Sequence, residues 1–156
     1  ALFALALFAL ALFLSIILTN CGFKPIYNSK ASNFEVIEII NKNKNKNSFT
    51  IEKIIMSLSN QGAEKKVKLE LNYEHLITTI LKDSKGDPSK KKLTIIVNLK
   101  AKNHTDNILV DKNFKEEFSY DVQSDKFSMG QYEDNITINL NNKISNDIIF
   151  LLGTLE

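Results

Sequence analysis

Apolar and polar side chains alternate most regularly in the middle of the chain. Between residues 67 and 81 the odd positions are mainly apolar, and the even positions begin with charged or amide side chains. A period of two is typical of a β-strand with one buried and one solvated face. Residues 93–101 and 108–122 repeat the alternation after turns at 82–92 and 102–107. The pattern therefore predicts three consecutive antiparallel strands with one solvent-facing side.

Two segments outside this region have helical spacing. Residues 48–62 carry a single apolar stripe, with Ser48 or Thr50 as the N-terminal cap and Gly62 as the stop. In the tail, apolar residues recur at every fourth position, which is typical of a long amphipathic helix. These positions are Tyr132, Ile136, Leu140, Ile144 and Ile148.

The ends of the tail helix also have signals in the sequence. Ser128 and Gln131 have the spacing of a capping box, and Gly153 is suited to a C-terminal stop. A short apolar strand at 34–40 precedes the first helix. The element order is therefore β-α-β-β-β-α. It predicts an α+β two-layer sandwich in which a mixed four-stranded sheet carries both helices on its apolar face.

The first 18 residues contain no charge, and Ser15 is their one polar side chain. A helix of this length spans about 27 Å, which is close to the hydrocarbon thickness of a bilayer. We therefore expect residues 1–20 to be a secretory signal peptide, with its start truncated because the chain does not begin with Met. The open alternative is a membrane helix.

Cys21, the single cysteine, follows this apolar run. The stretch Leu18-Thr19-Asn20-Cys21-Gly22 resembles a bacterial lipobox, although Asn20 stands where a smaller residue is usual. The resemblance implies that the Cys21 sulfur carries a diacylglycerol and that the chain is cut before it. Several acyl chains would anchor the protein stably to a membrane. We expect residues 21–33 to be the lipid-anchored tether and residues 34–156 to be one domain.

The charge balance argues against nucleic acid as a partner. The formal net charge is +2, and all 20 basic residues are lysines. This excess is too small for an electrostatic footprint on nucleic acid. The 136 residues from Cys21 onward suffice for one hydrophobic core.

The candidate chemistry is sparse. His75 lies on the apolar face of its strand and is expected to pack in the core, whereas His104 lies in a polar turn. Neither has a second histidine or cysteine at metal-ligand spacing, so we predict no metal site. The sequence contains no glycine-rich phosphate loop and no nucleophile-elbow motif. We therefore predict no enzymatic activity and no cofactor.

The stretch "CGFKPIY" directly after the apolar run, followed by β-α-β-β-β-α, resembles the LptE family of lipopolysaccharide-assembly lipoproteins. The tail "YEDNITINLNNKISNDIIFLLGTL" is similar to the last helix of that family. The resemblance implies an outer-membrane lipoprotein that plugs a large β-barrel of the LptD type, assists its assembly and helps deliver lipopolysaccharide to the outer leaflet. Its domain would lie on the periplasmic side or within the barrel lumen, and Gly22 agrees with sorting to the outer membrane.

A lysine cluster surrounds the predicted turn at 82–92. If the chain binds lipopolysaccharide, as the resemblance implies, the glycolipid phosphates need cations near a rigid element. The candidate ligands are Lys82, Lys85, Lys90, Lys91 and Lys92. Lysines at a hairpin tip are also commonly just solvated and discourage edge pairing. Two alternatives to the plug stay open at this point: a pilot or scaffold lipoprotein of the envelope without lipopolysaccharide binding, and an anchored enzyme.

The lipid anchor is directly testable. We expect Cys21→Ser to leave the protein unprocessed or released into soluble fractions, because a serine hydroxyl does not replace the acylated sulfur. Metabolic labelling with a radioactive fatty acid should then disappear. Labelling of the serine variant equal to that of the parent would contradict a lipid at Cys21.

Overall fold

The computed structural model describes residues 32–155. It contains four strands and two helices in the predicted order β-α-β-β-β-α. Their bounds are β1 Phe34–Asn41, α1 Lys46–Leu58, β2 Lys65–Lys82, β3 Pro88–Lys102, β4 Ile108–Asp121 and α2 Lys126–Thr154. Cys21, the expected signal segment at 1–20 and nearly all of the expected tether at 21–33 lie outside the described residues.

The four strands form one mixed sheet in the order β1-β2-β3-β4. β1 runs parallel to β2, and the β2–β3 and β3–β4 pairs are antiparallel. A parallel pair needs a crossover connection, and α1 supplies it between β1 and β2. The short turns after β2 and β3 give the antiparallel meander. The predicted α+β fold with a mixed four-stranded sheet is confirmed.

The strand register places the apolar positions of three strands on one face. Tyr73 lies opposite Val97, which lies opposite Phe114, and Leu71 lies opposite Leu99. These side chains form one core with the apolar stripes of the helices. The fully buried members include Phe34, Ile51, Ile55, Leu69, Leu93, Ile95, Leu99, Ile144, Ile148 and Leu152. The apolar residues that alternate along the strands thus pack against those at every fourth position of α2, in one core layer.

The start of α1 differs from the prediction. Its N-cap is Asn45, not Ser48 or Thr50, and the Asn45 side chain accepts a hydrogen bond of 2.9 Å from the Ser48 backbone amide. The Ser48 side chain in turn accepts from the Asn45 amide, which completes a capping box. The helix ends at Leu58, before Gly62. Gly62 has a φ of +88° and lies in the turn that leads into β2.

The ends of α2 also differ from the prediction. Its N-cap is Asp125, whose carboxylate accepts from the Ser128 amide at 2.8 Å, so the predicted capping box of Ser128 with Gln131 is wrong. Aspartate is among the preferred N-caps, and a carboxylate also suits the positive end of the helix dipole. Gly153 lies inside the last turn, because the helix continues to Thr154.

The turn between β2 and β3 is much shorter than the predicted 82–92. It spans residues 83–87, where the Asp83 carboxylate accepts hydrogen bonds of 2.9 Å from the amides of Lys85 and Asp87. Gly86 takes the left-handed conformation that this loop requires, with a φ of +89°. Because the aspartate closes the loop locally, Lys82 ends β2 and Pro88 begins β3. Lys90, Lys91 and Lys92 therefore belong to a strand.

The long hairpin continues past the core. At about 3.3 Å per residue, the 18 residues of β2 span about 60 Å, whereas the 29 residues of α2 span about 43 Å. Leu76, Ile77, Ile80 and Leu81 are between 40% and 58% exposed. We call residues 76–92 the projecting end of the hairpin.

The extent of the buried core along β2 can be tested with one substitution at two places on the strand. Leu71→Ala should lower the free energy of unfolding by about 2–5 kcal/mol, because Leu71 is buried and the change leaves a cavity. Leu81→Ala removes the same atoms at an exposed position and should change stability by no more than about 0.5 kcal/mol. Chemical denaturation measures both. Equal losses would show that the buried core extends along β2 as far as Leu81.

Candidate functional site

The structure distributes the five predicted lysines over the projecting end. Lys82 is the last residue of β2, and Lys85 lies in the turn. Successive side chains of a strand point to opposite faces, so Lys90 and Lys92 share the solvent face of the sheet while Lys91 lies on the helix face. The structure thus separates Lys91 from its two neighbours in the sequence.

The two lysines on the solvent face have carboxylate neighbours on β4. Lys92 Nζ lies 3.7 Å from Glu117, and Lys90 Nζ lies 4.0 Å from Asp121. The pKa of Glu117 is lowered, chiefly by a hydrogen bond from Lys115 and then by the charges of Lys115 and Lys92. These pairs are exposed, and such pairs contribute about 0–1 kcal/mol each. Both lysines therefore keep most of their capacity to bind an anion.

Lys91 belongs to a different contact. Its Nζ lies 3.5 Å from a carboxylate oxygen of Glu133 on α2, and the Tyr120 hydroxyl donates to the same oxygen at 2.6 Å. Burial raises the pKa of the Tyr120 hydroxyl, and the bond to Glu133 adds to the rise. The ring of Tyr132 packs edge-on against that of Tyr120, with centroids 6.0 Å apart. Lys91 thus helps join β3 and β4 to the start of the last helix.

Lys82 and Lys85 are placed differently. Within residues 32–155, no carboxylate oxygen lies within 4.0 Å of either ammonium group. They follow Ile80 and Leu81 in the chain, whose side chains are exposed, and Leu76 and Ile77 farther along β2 are exposed as well. The sequence did not reveal this apolar component, because Ile77 and Leu81, at odd positions of β2, were assigned to the core, and the even positions, which include Leu76 and Ile80, were assigned to the solvated face. The length of the strand could have indicated these exposed side chains, because the 18 residues of β2 extend beyond the segment that two helices of this size cover.

Glu70 is the best-connected carboxylate on the solvent face of the sheet. It bonds to Lys102 and lies 3.3 Å from Lys42 Nζ. The hydrogen bond from Lys102 and then that from Lys42 lower its pKa. Nearby, Asp106 lies 2.7 Å from Lys68 Nζ, and this hydrogen bond lowers the pKa of Asp106. Lysines and carboxylates on this face thus largely neutralise one another.

His104 lies in a turn as predicted, whereas His75 lies on the predicted face of β2 but is half-buried and not part of the core. His75 is half-buried on the helix face, and its Nε2 lies 3.3 Å from the Thr137 hydroxyl of α2. His104 is exposed in the turn between β3 and β4. Among residues 32–155 no group of three or more histidine, cysteine, aspartate or glutamate side chains is placed to hold a metal ion. No helix in this part of the chain combines the length and apolarity needed to cross a membrane.

Comparison with known proteins shows similarity at the level of fold. No protein-family model and no curated protein match the sequence. Three crystal structures of bacterial lipoproteins do match the structure. Rare lipoprotein B from Shewanella oneidensis has a TM-score of 0.60 and 8% identity, over 77% of this chain and 94% of that one.

The other two structures match over similar shares of their length. A minor lipoprotein from Acinetobacter baumannii has a TM-score of 0.60 and 11% identity, over 78% of this chain and 91% of its own. A putative lipoprotein from Caulobacter crescentus has a TM-score of 0.56 and 10% identity, over 80% and 90%. At these identities the comparison shows a shared fold, one that occurs in bacterial lipoproteins.

The lowered carboxylate pKa values predict how stability depends on pH. Between the lowered folded value and the ordinary value, the unfolded chain binds more protons than the folded one, so the free energy of unfolding rises with pH. The contribution of Glu70 should be complete above its ordinary pKa of 4.5 and should be lost as the pH falls through the lowered value. Urea unfolding at neutral pH and at several values below 4.5 measures it.

Two single variants make this test specific. Glu70→Gln should flatten the loss of stability on acidification, because the amide cannot be protonated in this range. Glu64→Gln, at an exposed glutamate without a lysine within 4.0 Å in the described part of the chain, is the matched control. Equal flattening by the two variants would contradict a specific role for the Glu70 pairs.

Proposed function

We propose that this chain is an outer-membrane lipoprotein that occupies the lumen of a large β-barrel of the LptD type, assists its assembly and contacts lipopolysaccharide during delivery to the outer leaflet. The observation that carries the proposal is the fold, since its match covers at least nine-tenths of three bacterial lipoproteins. The lipobox-like segment that ends at Cys21 and the "CGFKPIY" stretch support the same assignment.

The solvent face of the sheet suits a polar surrounding. Its charged side chains form cross-strand pairs, among them Lys100 with Asp111 at 3.1 Å and the pairs of Glu70. Such a surface keeps its hydrogen bonds when water around it is partly replaced by other polar groups. Barrel lumens are lined by polar side chains. This face is therefore compatible with enclosure inside a barrel, with the lipid at Cys21 holding the domain to the same membrane.

The projecting end suits an anionic amphiphile. Lys82 and Lys85, together with Lys90 and Lys92 on the solvent face, offer point charges for phosphate groups. The exposed side chains of Ile80 and Leu81 lie beside the first two and offer apolar contact for acyl chains. Lipopolysaccharide combines both chemistries. This combination supports the projecting end, without Lys91, as its contact site.

Co-purification tests the barrel partnership. The full chain, tagged at its C-terminus and extracted in mild detergent from envelopes of its own cells, should bring down one large β-barrel protein in stoichiometric yield. Recovery of a secretin or another multi-protein machine instead would favour the pilot or scaffold role. Recovery of no barrel at stoichiometric yield would contradict the plug.

Lipopolysaccharide binding should depend on the four lysines of the projecting end. We expect the combined change of Lys82, Lys85, Lys90 and Lys92 to Gln to weaken binding of the full chain about tenfold, as expected when several charge-assisted contacts of small individual energy are lost. The fold should survive, because these side chains lie outside the core. Binding by the parent should also weaken with added salt, which screens exposed charges. Surface plasmon resonance on immobilised lipopolysaccharide measures both effects.

The matched control changes net charge equally at another place. Lys44, Lys46, Lys53 and Lys66 are exposed and lie away from the projecting end. Their combined change to Gln should leave binding within about twofold of the parent, because long-range attraction between exposed charges is largely screened at physiological salt. Equal losses in the two quadruple variants would reduce the effect to overall charge. No loss in either would exclude the projecting end as the contact site.

A further inference from the structure

A row of asparagines crosses the solvent face of the sheet. Asn72 of β2 lies directly opposite Asn98 of β3, which lies directly opposite Asn113 of β4. The loop after β1 extends the row, since the Asn43 side-chain amide donates a 2.7 Å hydrogen bond to the side-chain oxygen Oδ1 of Asn72. Paired residues on neighbouring strands point to the same side of a sheet. The strand register thus aligns four carboxamides that are scattered along the sequence.

Three members of the row, Asn43, Asn72 and Asn98, line a shallow depression of about 400 Å³ in the sheet surface. Its polar lining includes Lys42, Asn43, Glu70, Asn72, Asn98, Lys100 and Asp111. The charged members are engaged with one another, through the Lys100–Asp111 pair at 3.1 Å and the Lys42–Glu70 pair at 3.3 Å. The depression therefore presents little net charge, and its characteristic feature is the carboxamide groups.

The amides of the row keep unused hydrogen-bonding capacity. Within residues 32–155, the side chains of Asn98 and Asn113 make no hydrogen bond to another protein group, and the Asn72 amide nitrogen makes none either. A carboxamide offers two donors and an acceptor in one plane. Neighbouring strands hold successive groups about 4.8 Å apart, a spacing comparable with the length of one sugar residue. An array of this kind matches the mixed donor and acceptor character of sugar hydroxyls.

We propose that the asparagine row binds an oligosaccharide, either a free glycan or the saccharide part of a glycolipid. Each amide pairs with ring hydroxyls, and the ion pairs beside the row supply further acceptors and donors. None of the residues that line the depression in the described part of the chain is aromatic, so sugar rings gain no stacking contact. Because exposed hydrogen bonds largely replace those to water, the affinity is weak, with a Kd of about 1 mM.

This site is separate from the lysines of the projecting end. Asn98 and Lys92 lie six residues apart on β3, which corresponds to about 20 Å along the strand. The inference does not rest on the proposed function. If the asparagine row fails to bind saccharide, the proposal for the lysine site still stands. If the lysines fail to bind lipopolysaccharide, the proposal for the asparagine row still stands.

Titration followed by nuclear magnetic resonance tests the proposal at the side chains themselves. The full chain, labelled with ¹⁵N in phosphocholine micelles to avoid sugar-based detergents, is titrated with a dextran hexasaccharide. A parallel titration uses the lipid-free core oligosaccharide released from lipopolysaccharide by mild acid. The side-chain amide signals of Asn72, Asn98 and Asn113 should shift. Shifts with both probes identify a general saccharide site, and shifts with the core oligosaccharide alone identify a glycolipid as the source.

Paired double variants complete the experiment. Asn98→Ala with Asn113→Ala should weaken the affinity about tenfold, as expected for the loss of two modest hydrogen-bonding groups. Asn142→Ala with Asn146→Ala removes two exposed amides from α2 and should leave it unchanged. Absence of shifts in the row with both probes would overturn the proposal. Equal weakening by the two double variants would overturn it as well, because the contact would then not be specific to the row.

Discussion

The register between β2 and β3 determines which surface of this protein is core and which is available for binding. A shift by one residue would exchange the two faces, because side chains alternate along a strand. In the observed register Leu71 meets Leu99 under the helices, and Asn72 meets Asn98 on the opposite side. The same pairing places Lys90 and Lys92 among the solvent-facing side chains. Core, lysine site and asparagine row all follow from this alignment.

Much of the fold could be predicted because each element has its own period. The alternation in residues 67–81 and the four-residue spacing from Tyr132 to Ile148 gave the correct element types, order and layers. The ends of the elements were less accurate. Asn45 and Asp125 cap their helices through hydrogen bonds with residues three positions on, and the Asp83 carboxylate shortens a turn. Periodicity does not report such local side-chain contacts, and several neighbouring residues compete for the same role.

The candidate sites were less predictable than the fold. Lys90, Lys91 and Lys92 are adjacent in the sequence, yet the strand directs Lys91 to Glu133 and separates it from its neighbours. The asparagine row shows the reverse case, because residues 15 to 26 positions apart become neighbours only through strand pairing. Long-range pairing is invisible to a local motif. Cys21 differs from both sites. It lies outside the described residues, so its interpretation as a lipid anchor depends on sequence context alone.

The length of the β2–β3 hairpin also has a consequence for dynamics. Its stem shares the buried core, so we expect amide hydrogens near Leu71 and Leu99 to exchange with solvent only when the whole domain opens. Residues 76–88 of the projecting end are exposed, so we expect their backbone hydrogen bonds to open by local fraying at a much smaller free-energy cost. The stem of the hairpin should therefore be more rigid than its exposed end. A ligand that orders the exposed end loses conformational entropy of the chain on binding, whereas a ligand bound over the stem does not.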